Sequence, residues 1–172
     1  MRTVRAAGEP SSRSYWGLLA TGTLALGREV LRLLLRRPVV GIVAVALDEA
    51  GRLVLMRRRD TGTWCLPGGM CEWGEDLRTA LDRELREEVG CELVEVRRMV
   101  GVYSDPARDP RMHAIAVVVE ARVRPASGAA APNPLEVLEV ASFLPCELPA
   151  ELAHDTRRLL DDYLAGTPAV LA

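Results

Sequence analysis

Glu84, Glu87 and Glu88 crowd one short stretch, RELREEVG, over residues 83–90. On a helical wheel turning about 100° per residue from Glu84, the apolar residues Leu77, Leu81, Leu85 and Val89 fall at about 20°, 60°, 100° and 140°. Those positions define a buried stripe. Glu88 lands at about 40°, inside it, and Glu87 at about 300°, on its flank. An unpaired carboxylate turned toward a core costs several kcal/mol, so these acids need a partner. Arg83 reaches Glu87 across one turn, yet one guanidinium cannot serve three acids. A divalent cation can. Hard oxygen ligands one turn apart suit Mg²⁺ or Mn²⁺, which keep waters and take substrate phosphates as further ligands. The competing reading is a solvated Glu/Arg face, and the acids alone do not decide between the two.

The elements around the acids serve the same arrangement. The loop LPGGMCEWGE brings Gly68 and Gly69 up to the helix, so backbone can approach closely and offer a carbonyl to a metal. Glu75 and Asp76 stand where the helix dipole favours negative charge, and plain capping explains them equally well. The periodicity predicts a helix over residues 76–89, stopped by Gly90. Before it, VVGIVAVAL and RLVLMRR around the turn DEAG predict a β-hairpin, followed by one long loop, RDTGTWCLPGGMCEWGE. After it come strands in RRMVGVYS and HAIAVVVEARV, a surface loop in PASGAAAPNP, a last strand in LEVLEVASFLP and a closing helix ending at Gly166.

Read as one pattern, Gly69, Glu75, Arg83-Glu84-Leu85, Glu87-Glu88, Gly90 and a final small apolar residue resemble the Nudix box, G-x5-E-x7-R-E-U-x-E-E-x-G-U. The one departure is Cys91, where the family usually has an aliphatic residue, and cysteine packs as a small hydrophobe. The resemblance covers roughly residues 39–164. It implies an α/β fold, the Nudix α/β/α sandwich with a mixed β-sheet, in a domain over residues 39–172. An N-terminal helical extension, residues 1–38, lies outside it. It also implies a Mg²⁺- or Mn²⁺-dependent enzyme that cleaves the diphosphate of a nucleoside diphosphate linked to another moiety. Matched by position, Glu84 and Glu88 would be principal metal ligands, Glu87 a further ligand or a base, and the Gly69 carbonyl a backbone ligand. Arg83 would orient the carboxylates and Glu75 support the loop–helix junction. Glu136 matches a catalytic or metal-binding glutamate of some members; Glu120 is a weaker candidate, and each also reads as an ordinary surface acid.

Substrate contacts are sought in arginines and aromatics. Arg108 and Arg111 in SDPARDPR could clamp a phosphate bidentately, as in loops of ADP-ribose-cleaving relatives of the family, or pair with Asp105 and Asp109 in a Pro-braced turn. The run Arg57–Arg58–Arg59 enters the loop from a strand end and could meet distal phosphates, Arg57 foremost. Trp64, Trp73, Tyr103 and Phe143 are candidates for stacking on a base, Trp64 foremost, with core packing the alternative. His113 and His154 read as structural.

Charge and composition bound the rest. A net charge of −2 gives no sign of a general nucleic-acid binder, and the small nucleotide partner is what the resemblance implies. All 22 basic residues are arginine. The four cysteines have no zinc spacing, which fits reduced thiols in a cytoplasmic protein. Residues 1–37 carry a net of +5 and leave −7 for the remainder. Their apolar run reads as a helix packed on its own domain or a twin subunit in a homodimer, as a basic helix on a membrane surface, or as a span, for which its uncharged part is short. Two further functions stay open beside the first: an NTP or dinucleotide polyphosphate pyrophosphohydrolase, and a non-catalytic nucleotide-sensing module on the same scaffold.

Overall fold

The computed structural model describes residues 37–108, 112–128 and 132–172, so the N-terminal helix, Arg111 and the pairing of Asp109 lie outside the described residues. At the centre, β1 (Val39–Leu47) runs parallel to β6 (Ala114–Pro125), in register from Val39↔Ala114 to Leu47↔Arg122. Their valine-rich sequence suits strands covered on both faces. β5 (Cys91–Tyr103) lies antiparallel to β6 through three register shifts, and β7 (Val137–Phe143) antiparallel to β2 (Leu53–Arg58). The short strands β3 (Trp64–Cys65), β4 (Gly68–Met70) and β8 (Val170–Leu171) complete a mixed sheet, in which β3-β2-β1-β6-β5-β8 forms the main path.

Two expectations are corrected. The hairpin of β1 and β2 is a single rung, Leu47↔Leu53, because β1 gives the rest of that edge to β4. The turn itself is as expected, with Asp48 accepting the Ala50 and Arg52 amides and Gly51 at φ +75°. The long loop after β2 is not all loop: it holds β3 and β4, strands too short to show a period.

Helix α1 (Leu77–Val89) covers one face of the sheet and α2 (His154–Leu164) the other. Ala80, Leu81, Leu85 and Val89 of α1 pack with Ala44, Val54, Met56 and Val119. Leu159 and Leu160 of α2 pack with Val45, Leu53, Leu55, Val118 and Tyr103. Neighbouring residues of β2 therefore serve opposite layers, the period-two signature of a strand buried on both sides. The result is an α/β/α sandwich. Among the described residues no helix is long and apolar enough to cross a membrane.

The core fixes thiol chemistry. Cys65 is buried, and burial pushes its thiol up to about 12, whereas Cys146 is exposed. Iodoacetamide applied to the native protein should label Cys146 and spare Cys65 until the chain is denatured, as read by peptide mapping. Equal labelling of the two in the native state would contradict this packing.

Candidate active site

Helix α1 starts where Asp76, in extended geometry, accepts the Thr79 amide at 2.9 Å, and it ends at Gly90 with φ +66°. Both signals were legible in the sequence, and they set which way every box side chain points. Arg83 is the hub. Its Nε and Nη2 each bond one Glu75 oxygen at 3.0 Å, Nη1 bonds Glu84 Oε1 at 2.9 Å, and Nη2 also donates to the Met70 carbonyl at 3.1 Å. One guanidinium thus ties the preceding loop, β4 and the helix together, and its acid partners raise its pKa. Glu75 also accepts the Glu72 amide, so the junction is bonded from both sides.

Glu88 lies under the loop. Its side chain accepts the Gly68 amide at 2.8 Å and the residue is only 8 % exposed. Burial foremost pushes its carboxyl up to about 8; the Gly68 amide opposes this, while repulsion from Glu84 and Glu136 adds to it. Glu84 is also raised, by burial first, with Arg83 opposing and Glu87 and Glu136 adding. Glu87, on the flank of the wheel, is more exposed and meets Arg83 Nη1 only at 3.5 Å. Gly69 faces Glu84 so closely that a Cβ built there would overlap its carboxylate.

Glu136 comes from far along the chain, just before β7. Asn133, three residues earlier, donates its amide to the Glu87 carbonyl at 3.1 Å, which docks the segment on the end of α1. Glu136 then lines a cleft of about 210 Å³ with Glu88, Arg58, Asp60, Met56 and Leu135. Asp60 grips Arg58 at 2.9 and 2.7 Å; that hydrogen bonding, first among the causes, holds the Asp60 carboxyl down at about 2 and raises Arg58. A larger cleft of about 450 Å³ lies along the outer side of α1, but its Arg86 and Arg124 are paired with Asp82 and Glu92, and it contains none of the box acids.

Several residues expected at the site lie elsewhere. Trp64 is buried in the α2-side core, edge-on to Phe143 with centroids 5.0 Å apart, because the alternation of β3 turns it away from α1. Arg57 faces that side too, bonding the Gly62 carbonyl at 2.8 Å; Arg58, one residue on, lines the cleft. Counting parity from Met56 would have found it. Among the described residues the Arg108 guanidinium is held not by Asp105 of its own turn but by Asp155 on α2, at 2.8 and 2.6 Å, and by the Tyr103 carbonyl at 2.7 Å. Glu120 is buried on the α2 side against Arg98 at 2.9 Å and Arg97 at 3.5 Å, an ion pair remote from Glu88. Tyr103 is fully buried and donates to Asp162, which leaves Trp73 as the one exposed aromatic of the four candidates.

The donor set suits a hard divalent ion. Glu84 and Glu88 each have one oxygen committed and one without a bond among the described residues. No buried side-chain oxygen there lacks a partner, so those free oxygens open onto reachable space. Their mutual repulsion is what a cation would relieve. Among the described residues no three acid, histidine or cysteine side chains are already gathered around one point, and Arg83 holds Glu84.

Comparison with known proteins agrees with this geometry. A profile of the NUDIX domain matches residues 35–163. An ADP-ribose pyrophosphatase of Methanocaldococcus jannaschii is 32% identical over 130 residues, covering 74% of this chain and 73% of its own. A putative 8-oxo-dGTP diphosphatase of Bacillus subtilis is 26% identical, covering 76% and 83%. The crystal structure of a MutT NUDIX hydrolase from Burkholderia pseudomallei superposes with a TM-score of 0.62 at 28% identity, over 73% of this chain and 98% of that one. With its box acids on α1, its mixed sheet between two helical layers and these relatives, the chain belongs to the NUDIX family and is a pyrophosphohydrolase.

Proposed function

We propose that residues 39–172 hydrolyse the diphosphate of a nucleoside diphosphate linked to another moiety, with ADP-ribose the leading substrate and Mg²⁺ or Mn²⁺ the cofactor. One observation carries the reading: Glu88, buried and bonded to no arginine among the described residues, opens on a cleft shared with Glu136 and Arg58. Glu84, Glu88 and the Gly69 carbonyl would hold the ion, with Glu87 as a further ligand at the rim. A bound divalent ion shields phosphate charge and makes a water more acidic.

The chain's own residues supply the rest. Arg83 fixes Glu84 against the loop, and Arg58, held by Asp60, presents a guanidinium to the diphosphate. Glu136 accepts a proton from the attacking water as its oxygen bonds to phosphorus. The bridging P–O bond breaks, and its electron pair leaves with the departing phosphate. ADP-ribose and water thus give AMP and ribose 5-phosphate. Glu87 is the second candidate for the proton, but it does not line the cleft.

The substrate is supported by the archaeal relative's name, and the Bacillus relative favours an NTP instead. A panel of ADP-ribose, dinucleotide polyphosphates, sugar nucleotides and NTPs, at equal Mn²⁺, separates these by product analysis. We expect AMP from ADP-ribose as the fastest product. Faster release of pyrophosphate from NTPs would overturn the choice of substrate, and no turnover of any member would overturn the reaction.

A further inference from the structure

We infer that Arg59, which lines no part of the cleft, is a positioning residue that fixes residues 133–136 so that Glu136 faces Glu88. The inference rests on the proposed role of Glu136 as proton acceptor.

The pairing of β2 with β7 breaks just before this point. Its rungs run Arg57↔Glu139 and then Arg58↔Val137, skipping Leu138. The bulge buries Val137 in the α1-side core and turns Leu138 outward, 47% exposed. A bulge re-aims the residues beyond it, so the direction of Glu136 is not set by strand alternation alone. Two anchors set it. On the helix side, the Asn133 amide bonds the Glu87 carbonyl, one of the acceptors that the end of a helix leaves unpaired. On the strand side, the Arg59 amide bonds the Glu136 carbonyl at 2.8 Å and the Arg59 Nε bonds the Pro134 carbonyl at 2.6 Å.

Between the anchors the segment closes on itself. Asn133 Oδ1 accepts the Leu135 amide at 3.1 Å, and the Asn133 carbonyl accepts the Glu136 and Val137 amides at 3.1 and 2.9 Å. A turn bonded this way moves as one piece. Among the described residues the guanidinium of Arg59, the residue that follows β2, makes the one side-chain hydrogen bond from that strand end to the turn, a charge-assisted bond. Without it, the backbone bonds of Arg59 to Glu136 and of Asn133 to Glu87 remain, but the turn can twist about the line joining them, and the carboxylate swings away from Glu88.

The test uses the full chain with ADP-ribose and Mn²⁺, in the variants Arg59→Ala, Arg59→Lys, Glu136→Gln and Arg59→Ala/Glu136→Gln. Misplacing a catalytic group by about 1 Å costs up to roughly a hundredfold, so Arg59→Ala should lower kcat by about tenfold or more. KM should change little. Lysine, which can still donate to the Pro134 carbonyl, should restore most of the rate. Amide hydrogen exchange at Leu135 to Val137 should quicken in Arg59→Ala. In the Glu136→Gln background the alanine should cost nothing more, because the two residues act through one carboxylate. A slow Glu136→Gln beside a fully active Arg59→Ala, or losses that multiply in the double variant, would overturn the positioning role alone. Wild-type turnover in Glu136→Gln would overturn the base assignment and the inference with it.

Discussion

Glu88→Gln should slow hydrolysis by about 10²–10³ without harming the fold. Glutamine keeps the shape and can still accept the Gly68 amide, but it removes the charge proposed to hold the ion. Deleting one charge-stabilising group from an active site costs about 10²–10³ in turnover, and the same is expected of Glu84→Gln. Stability should move the other way. Glu88 is 8 % exposed and has no cationic partner bonded to it among the described residues, so its ionised form strains the folded state whenever no metal is present. In EDTA the Tm of Glu88→Gln should equal or exceed that of the wild-type chain, by differential scanning calorimetry. Loss of both activity and Tm would mean that Glu88 is a structural acid and not a ligand.

The adjacent glycines should fail in opposite ways. Gly68 has φ +147°, and a Cβ there would strike the Ile42 carbonyl and the Val43 Cα, both backbone atoms of the central strand. Gly68→Ala should therefore cost about 2–4 kcal/mol, or roughly 5–15 °C in Tm. At Gly69 the atoms nearest the added methyl all belong to the end of the Glu84 side chain, which can swing aside. Gly69→Ala should leave Tm within a few degrees while displacing Glu84, with turnover down by up to roughly a hundredfold. Thermal melts and Mn²⁺-dependent rates on the two variants check both halves. A large Tm loss in Gly69→Ala with full activity in the folded fraction would refute the close approach of that backbone to the carboxylate.

The contrast shows where sequence reasoning succeeds. Helix α1 was legible to within a residue because its cap, its stripe and its stop all lie inside fifteen residues of local chain. The inward placement of Glu88 followed from the wheel alone, whereas the wheel paired Arg83 only with Glu87 and its bonds to Glu75 and Glu84 depend on the loop before the helix. Trp64, Arg57 and Arg108 were misplaced because their surroundings are not local. Trp64 is held by Leu152 and Phe143, and Arg108 by Asp155, partners far along the chain that no spacing reveals. Strand parity would have exchanged Arg57 for Arg58. β4 escaped notice because a three-residue strand carrying two glycines has no pattern to read. Glu136 was singled out by its match to the family, but the bulge beside it and the Arg59–Pro134 bond are tertiary features that no spacing reveals.

The central claim is that the acids of α1 are a seat for a divalent ion. Electron paramagnetic resonance of free Mn²⁺ during titration tests it without any substrate. The wild-type chain should deplete the free signal at a site that Glu84→Gln/Glu88→Gln no longer provides, while Glu92→Gln, on the outer side of α1, binds as the wild type does. Equal Mn²⁺ binding by the wild-type chain and the double variant would contradict it.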